Sequence, residues 1–264
     1  MTTTTDTTSS ADTTRDPVNH VDLTDGEVNF YRREGWLYVP GLLGAEVTAM
    51  LRDDVLALMD RIGGWQGAKL RQSSQYLPGS PIDRHVHSPA LHDLAGRLLG
   101  GDPVLWLPFT AVKGPQGGTF NFHQDNNYTP LDAPALNIWV ALVDMGPELG
   151  TLQIVPQSHR SGTRGAEILE DGHRAIRIAE SDFIPMRLRA GDAVVFSRDT
   201  IHGSGPNTMP TPRVAYAVQF CRTDAHYPDP DGGAPVSASE RPKYGHTHHA
   251  TTDIEVPTTR IDGH

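Results

Sequence analysis

The chain has 264 residues, a mass of 28.8 kDa, a net charge of −10 and an isoelectric point near 5.6. This length suits one sizeable domain, and the acidic balance argues against an extended nucleic-acid or membrane surface while leaving room for a small basic pocket. The single cysteine, Cys221, excludes a disulfide framework and a thiolate metal cluster, and it favours a reducing, cytoplasmic setting.

The N-terminal part predicts a disordered tail followed by two helices. Residues 1–20 are rich in Thr, Ser and Asp with almost no apolar content, and they lack the basic and apolar regions of a secretory signal. Thr24 and Glu27 have the spacing of a capping box, which predicts a short helix to about residue 33. Apolar residues at helical spacing predict a second helix over 45–62.

The rest of the chain predicts a mainly β domain, spanning 21–227, with a loosely ordered tail over 228–264. Residues 64–88 are irregular, and a short helix is expected over 89–99. Beyond it, short β-type runs alternate with Gly and Pro, and no apolar run reaches the roughly 18 residues of a membrane span. About eight strands are expected, which is typical of a jelly roll. They are 36–39, 103–112, 119–123, 135–144, 151–155, 183–189, 193–198 and 212–221.

Two of these strands present two different faces. Large apolar side chains alternate with Asn137, Trp139 and Ala141 in one strand, and with Arg213 and Gln219 in the other. The second face of each strand mixes polar with small residues. Such a face is either solvated or lines a pocket, and the sequence leaves both interpretations open.

The pattern with the most chemical content is His123-x-Asp125. Residues i and i+2 point to the same side of an extended strand, so both side chains can reach one ion. His202 follows a distant apolar strand and can supply a third ligand. Two imidazoles and one carboxylate on one face of an octahedral metal suit a non-haem Fe(II) site. The tripeptide alone is weak evidence, because His20 and Asp22 repeat it in the predicted tail.

Other histidines compete for the role of metal ligands. His85-Val86-His87 matches the opening of a cupin motif, but the expected Glu is missing and the segment lacks the residue pattern of a strand. The group His246-Thr247-His248-His249 lies in the predicted tail and has no scaffold. We interpret His159 and His173 as surface loop residues.

Arg213 and Ser204 predict a site for a carboxylate. Arg213 opens a strand whose same-face neighbours, Ala215 and Ala217, leave room beside a buried guanidinium. A planar guanidinium binds a carboxylate through two parallel hydrogen bonds. Ser204, two residues after His202, can donate to the same group.

These residues stand in motifs that resemble the phytanoyl-CoA dioxygenase-like family of Fe(II)/2-oxoglutarate oxygenases. The resemblance covers roughly residues 22–224, and the motifs are specific together rather than singly. One local departure is Gln157, where Gly usually precedes Ser-His. The matching pieces are Val112-Lys113-Gly114-Pro115, Phe122-His123-Gln124-Asp125-Asn126, the run 150–159 from Gly150 to His159, and Gly191-Asp192 through 202–207 to Arg213.

The resemblance implies a double-stranded β-helix core of the cupin-like, jelly-roll type, with N-terminal helices packed on its outside. It implies iron held by His123, Asp125 and His202, with 2-oxoglutarate chelating the iron and O2 as the second cosubstrate. Arg213 and Ser204 match the positions that bind the far carboxylate of 2-oxoglutarate. Trp139 and Lys113 match positions near the cosubstrate. Halogenating relatives replace the carboxylate ligand by Ala or Gly, so Asp125 indicates hydroxylation or another oxidation.

The expected function is therefore a dioxygenase that oxidises a small molecule, with a secondary metabolite as the expected substrate class and succinate and CO2 as co-products. Residues 64–88 and 126–134 are long enough to act as lids, and Gln72, Trp106 and Tyr128 are candidate substrate contacts. The alternatives are a cupin-type metalloenzyme that does not use 2-oxoglutarate, and a non-enzymatic sensor of a small acid or metal. A monomer or homodimer without nucleic-acid or membrane partners is expected.

Overall fold

The structure is a computed structural model that describes residues 15–66 and 69–240. The α-helices lie in the first part of the described chain, between residues 25 and 99. They are α1 (Asp25–Glu34), α2 (Ala45–Arg61), α3 (Pro81–Val86) and α4 (Pro89–Leu99).

Local sequence explains where these helices begin and end. Thr24 and Glu27 form the expected capping box at the start of α1, and Gly35 ends that helix with φ of 80°. Ser80 and Ser88 cap α3 and α4, each followed by a proline in the first turn, which needs no backbone N–H donor there.

The strands form two antiparallel sheets of a jelly roll. In chain order they are β1 (Trp36–Val39), β2 (Pro103–Lys113), β3 (Phe120–His123), β4 (Ala135–Ala141), β5 (Leu152–Ile154), β6 (Glu167–Ile168), β7 (Arg174–Ala175), β8 (Ile184–Pro185), β9 (Ala193–Ser197), β10 (His202–Ser204), β11 (Arg213–Arg222), β12 (His226–Tyr227) and β13 (Val236–Ser237). The major sheet has the order β1-β9-β4-β11-β2, and the minor sheet has the order β3-β10-β5-β8. Short hairpins join β6 to β7 and β12 to β13.

The two faces of the major sheet bury different sets of side chains. Val214, Tyr216 and Val218 of β11 pack into the same core as the apolar faces of α2 and α4. Ala215 and Ala217 of the same strand belong to a second core that faces the minor sheet. The alternation read from the sequence therefore separates a helix-covered face from a face that looks between the sheets, where the candidate site lies.

The predicted mainly β, cupin-like fold is confirmed, while some boundaries differ. Residues 15–20 were assigned to a disordered tail, but Val18 is buried and bridges Leu43, because it finds an apolar site beside the core. Residues 228–240 were assigned to the C-terminal tail, but Val236 pairs with Tyr227 and Ala238 is buried. Residues 1–14 and 241–264, and with them His246–His249, lie outside the described residues.

Smaller differences concern single elements. The irregular stretch 64–88 contains α3, whose start is set by Ser80 and Pro81 rather than by apolar periodicity. The strand expected over 183–189 is reduced to β8 at the edge of the minor sheet. Among the described residues, no helix combines the length and apolar character needed to cross a bilayer.

Candidate metal centre

His123, Asp125 and His202 converge between the two sheets. Their ligand atoms all lie within 4.8 Å of one another, and all three residues are buried. His202 Nε2 is 3.8 Å from Asp125 Oδ1, and the two imidazole centroids are 4.3 Å apart. The convergence follows from strand register, because His202 of β10 pairs directly with His123 of β3.

Backbone carbonyls set the tautomer of both imidazoles. Nδ1 of His123 donates to the Asn121 carbonyl at 2.9 Å, and Nδ1 of His202 donates to the Thr200 carbonyl at the same distance. Each Nε2 therefore keeps a lone pair that points toward the other ligands. Burial and, to a smaller extent, the nearby His202 lower the pKa of His123 to about 3, although Asp125 opposes this shift. His123 is neutral at pH 7, as a metal ligand must be.

Asp125 begins a 3-10 turn, Asp125–Asn127, directly after β3. Asn137 of β4 reaches its carboxylate, with Nδ2 donating to Asp125 Oδ2 at 3.4 Å. The Oδ1 atom of Asn137 is buried and has no partner among the described residues. Burying an acceptor without a donor costs free energy, so this oxygen can accept a hydrogen bond from a ligand or a solvent molecule.

Arg213 lies deeper in the same space. It is buried, and its guanidinium donates to the carbonyls of Gly150 at 3.1 Å and Ala111 at 3.5 Å. Trp139 covers one face of the guanidinium, with 5.3 Å from Cζ to the ring centroid. Nε has no partner, and none of the described acidic residues pairs with this arginine. Burial lowers the pKa of Arg213 to about 9, so it remains charged at pH 7.

Ser204 and Lys113 lie beside Arg213 but play different parts. Ser204 faces the cavity, and its Oγ accepts a hydrogen bond from Lys113 Nζ at 3.0 Å, which leaves the hydroxyl proton able to donate. Lys113 is fully buried behind this serine and also donates to the carbonyls of Gly118 and Gly205. Burial, followed by repulsion from Arg213, lowers the pKa of Lys113 to about 6. Lys113 thus contacts Ser204 rather than the cavity itself.

A cavity with about 840 Å³ of empty volume, part of it open to solvent, contains the triad and Arg213. Gln72, Trp106 and Tyr128 all line it, together with Trp139 and Ser204. Arg213 and Gln219 both face it from β11, six residues apart, which is roughly 20 Å along a strand. The cavity therefore extends well beyond the reach of Arg213, and its walls are largely apolar and aromatic.

Sequence reasoning missed part of the lining. His173 was interpreted as a surface loop residue, but the hairpin of β6 and β7 brings its ring to 4.9 Å from Phe120, inside the cavity. Arg198 also lines it. Gln219 lines it too, on the face of β11 that the sequence left open as either solvated or part of a pocket. The sequence does not predict that Arg198 lines the cavity. Arg198 lies just beyond the end of β9, where strand alternation no longer indicates which way a side chain points.

The competing histidines stay away from the triad. His85 of α3 is fully buried against β11, with its ring centroid 5.8 Å from that of Tyr216, and neither ring nitrogen has a partner among the described residues. His159 is half-buried and its Nε2 donates to the Arg32 carbonyl. Among the described residues, only the triad brings three His, Cys, Asp or Glu ligand atoms together in this way.

The donor set fits Fe(II). It consists of two imidazole nitrogens from paired strands and one carboxylate from the turn after β3, and it leaves the cavity side open. The unpaired Nε of Arg213, on a buried cation in the same cavity, fits a carboxylate ligand. Fold and site together define a jelly-roll protein with a 2-His-1-carboxylate centre.

Comparison with known proteins agrees with this class. The model of the phytanoyl-CoA dioxygenase (PhyH) family matches residues 31–215, and the chain belongs to this family. It is 35% identical over 157 residues to the "Phytanoyl-CoA dioxygenase domain-containing protein 1 homolog" of Dictyostelium discoideum, covering 54% of this chain and 55% of the relative. The chain thus spans about half the length of that relative. The predicted family is confirmed.

Two further comparisons extend over more of the chain. It is 26% identical over 269 residues to ectoine dioxygenase of Halomonas elongata, covering 87% of this chain and 80% of the relative. The crystal structure of SnoN, a non-haem α-ketoglutarate-dependent epimerase from nogalamycin biosynthesis, superposes with a TM-score of 0.65 at 26% identity. That match covers 80% of this chain and 87% of SnoN. A second structure of SnoN contains Fe3+ and α-ketoglutarate, the cofactors that the sequence predicts for this protein.

Proposed function

We propose that this protein is an Fe(II)- and 2-oxoglutarate-dependent oxygenase that hydroxylates, or otherwise oxidises, a small molecule. The observation that carries the proposal is the convergence of His123, Asp125 and His202 in one cavity with the unpaired, buried Arg213. A metal triad alone would suit many chemistries. A triad beside a buried cation that lacks a carboxylate partner suits a metal enzyme with an anionic cosubstrate.

The proposed metal ligands are His123 and His202, through Nε2, and the carboxylate of Asp125. When bound, iron and 2-oxoglutarate supply the oxidation: one oxygen atom of O2 enters succinate as CO2 is lost, and the other is available to the substrate. The chain's own contribution is geometry. The carbonyls of Asn121 and Thr200 fix the two rings, and Asn137 fixes the carboxylate.

Arg213 and Ser204 are proposed to bind the far carboxylate of 2-oxoglutarate. The guanidinium supplies charge and directed N–H donors in a buried place, and Ser204 Oγ supplies one more donor. Trp139 restricts the guanidinium from one side, because Arg213 Cζ lies over its ring. Lys113 acts through Ser204, because its Nζ donates to the hydroxyl oxygen and so occupies the acceptor side of the hydroxyl.

The substrate is proposed to enter from the opposite end of the cavity. Trp106 offers an aromatic wall there and Tyr128 supplies a polar group, while Gln72 lines the cavity nearer Arg213, beside Ala111. This lining suits a partly apolar molecule with a few polar substituents. SnoN comes from nogalamycin biosynthesis and ectoine dioxygenase is named for a small metabolite, so a secondary metabolite is the proposed substrate class.

The retained Asp125 favours oxygenation over halogenation, because the carboxylate occupies the position that halogenating relatives leave open. Epimerisation, the activity for which SnoN is named, is a further oxidative outcome on the same fold. The proposed location is the cytoplasm, where a buried thiol such as that of Cys221 stays reduced.

Succinate release tests the function directly. The purified protein, loaded with Fe(II) under argon, is supplied with 2-oxoglutarate, O2 and a panel of small metabolites that includes nogalamycin and ectoine. We expect succinate formation that at least one member of the panel stimulates. A cupin-type enzyme independent of 2-oxoglutarate would oxidise its substrate without forming succinate, and a sensor would bind 2-oxoglutarate without consuming it; either result would contradict the proposal.

A further inference from the structure

Arg198 is a buried arginine that the proposed reaction does not use. It lies one residue after β9 and is 3% exposed. Its Nη2 donates to the carbonyl of Asp125 and to that of Thr129, each at 3.0 Å. Its Nε donates to Asn126 Oδ1 at 3.1 Å, and Nη1 donates to Gln219 Oε1. One guanidinium therefore bonds to both ends of the turn that presents the carboxylate ligand.

The same contacts join that turn to the segment that carries His202. Asn126 N–H donates to the Arg198 carbonyl at 3.3 Å, and Asn126 Nδ2 donates to Asp199 Oδ1 at 2.9 Å. Gln124 Nε2, just before the turn, donates to the Asp199 carbonyl. Residues 124–127 and 198–199 are thus linked by reciprocal hydrogen bonds, only three residues before His202.

We propose that Arg198 is a positioning residue for the metal centre, whose guanidinium fixes the turn bearing Asp125 relative to the segment bearing His202. The proposal rests on the assignment of His123, Asp125 and His202 as metal ligands. Its physical basis is that a metal needs its ligand atoms within a few tenths of an ångström of their bonding positions. Asp125 lies on a short turn, which has fewer intrinsic constraints than the strand register that places His123 and His202.

An arginine suits this role better than a lysine. Its planar fork presents five N–H donors in fixed directions, so a single side chain can serve four acceptors spread over β11 and the turn. The contact of its Cζ with the Trp106 ring, 5.7 Å from the centroid, restricts the guanidinium further. A lysine presents one nitrogen and can satisfy only some of these acceptors.

Metal affinity of the protein without 2-oxoglutarate tests the proposal. Co(II) is titrated into the full chain and followed by its visible d–d absorption, which reports both affinity and coordination geometry. The variants are Arg198→Met, which keeps length and burial but removes every donor, and Arg198→Lys. The matched control is Arg71→Met, since Arg71 donates to the Ile62 carbonyl outside the cavity. Asp125→Ala shows how much Co(II) affinity is lost when a metal ligand itself is removed. Urea unfolding of each metal-free protein separates stability from metal binding.

We expect Arg198→Met to weaken Co(II) binding by about 10- to 100-fold, the range for residues that orient metal ligands, and to change the d–d band shape. Arg198→Lys should recover part of the affinity, and Arg71→Met should bind like the wild type. If Arg198→Met does not fold, Arg198→Lys still tests the proposal through the band shape and the affinity at an unchanged urea midpoint. Wild-type affinity and spectrum in both Arg198 variants, beside lost binding in Asp125→Ala, would overturn the positioning role alone. Undiminished binding in Asp125→Ala would overturn the ligand assignment and the positioning role with it.

Discussion

His123 and His202 are directly opposed across the antiparallel pair of β3 and β10, with their ring centroids 4.3 Å apart. Each ring donates through Nδ1 to a carbonyl two residues earlier in the chain, Asn121 or Thr200. The two imidazoles are thus presented by the same local device on neighbouring strands. Since β-sheet register is set by many backbone hydrogen bonds, this part of the centre is preformed before any metal binds.

Arg213 is predicted to govern binding of 2-oxoglutarate. Arg213→Ala should raise the dissociation constant for 2-oxoglutarate by about 10- to 100-fold, because a charged hydrogen bond in a buried site is lost. Co(II) affinity should stay within a factor of about two, since Arg213 contacts none of the triad. Isothermal titration measures both quantities, with Co(II) added to the metal-free protein and 2-oxoglutarate added to the Co(II)-loaded protein. The control is Arg222→Ala at the exposed end of the same strand, where the arginine pairs with Asp224; equal losses in the two variants would count against the role of Arg213.

Lys113 is predicted to act only through Ser204. Lys113→Met should weaken 2-oxoglutarate binding by a few-fold, as Ser204→Ala does, because the hydroxyl loses the donor that orients it. In a double-mutant cycle the two changes should not add, since they remove one coupled interaction. The cycle is measured by the same titration. Additive losses would mean that Lys113 Nζ contacts the cosubstrate itself.

Gln72 and Trp106 are predicted to affect the substrate. Gln72→Ala and Trp106→Leu should lower substrate-stimulated succinate release, because both side chains line the cavity. Trp106→Leu should also leave 2-oxoglutarate affinity unchanged, because Trp106 lies beside the Gln219 end of β11, away from Arg213. The measurement is succinate formation against substrate concentration, once the panel has identified a substrate. A Gln75→Ala variant, outside the cavity lining, serves as the matched control. A raised KM for 2-oxoglutarate in the Trp106 variant would place that residue at the cosubstrate instead.

His85 is predicted to limit stability in acid. Burial lowers its pKa to about 4, from the ordinary 6.5, so the unfolded chain binds a proton that the folded chain does not take up between these values. Its contribution to the free energy of unfolding is therefore complete above pH 6.5 and falls by about 3 kcal/mol as the pH drops through 4. His85→Leu should flatten this part of the pH dependence and cost little at pH 7, since neither ring nitrogen has a partner among the described residues.

Urea unfolding between pH 7.5 and 4 measures this effect in the metal-free protein. His87→Gln, on an exposed histidine at the end of the same helix, should keep the wild-type slope. An unchanged slope in His85→Leu would show that another group, such as buried His123, dominates the acid response.

The sequence predicted most of the fold because its signals are local. The capping box at Thr24, the alternation in β4 and β11 and the glycine-punctuated strands all depend on neighbouring residues, and the structure agrees with them. Short elements were missed for the same reason. β10 has three residues and α3 has six, too few for a periodic pattern, and each is held by its partners instead.

The triad was predictable because its spacing and strand ends are readable, whereas Arg198 and His173 were not. Their side chains reach the cavity through tertiary contacts, Arg198 through the turn at Asp125 and His173 through a two-residue hairpin strand.

Gln157 stands where the family usually has Gly, and its backbone keeps the conformation that suits glycine. It adopts a φ of 62°, the left-handed conformation that glycine takes most readily.

Anaerobic titration of the protein with Fe(II) and 2-oxoglutarate tests the central claim most directly. The account predicts a weak visible charge-transfer band that requires both additions, saturates at one equivalent of each, and is lost in Asp125→Ala and strongly weakened in Arg213→Ala. Absence of the band in the wild type, or an unchanged band in both variants, would contradict the assignment of this cavity as an iron and 2-oxoglutarate site.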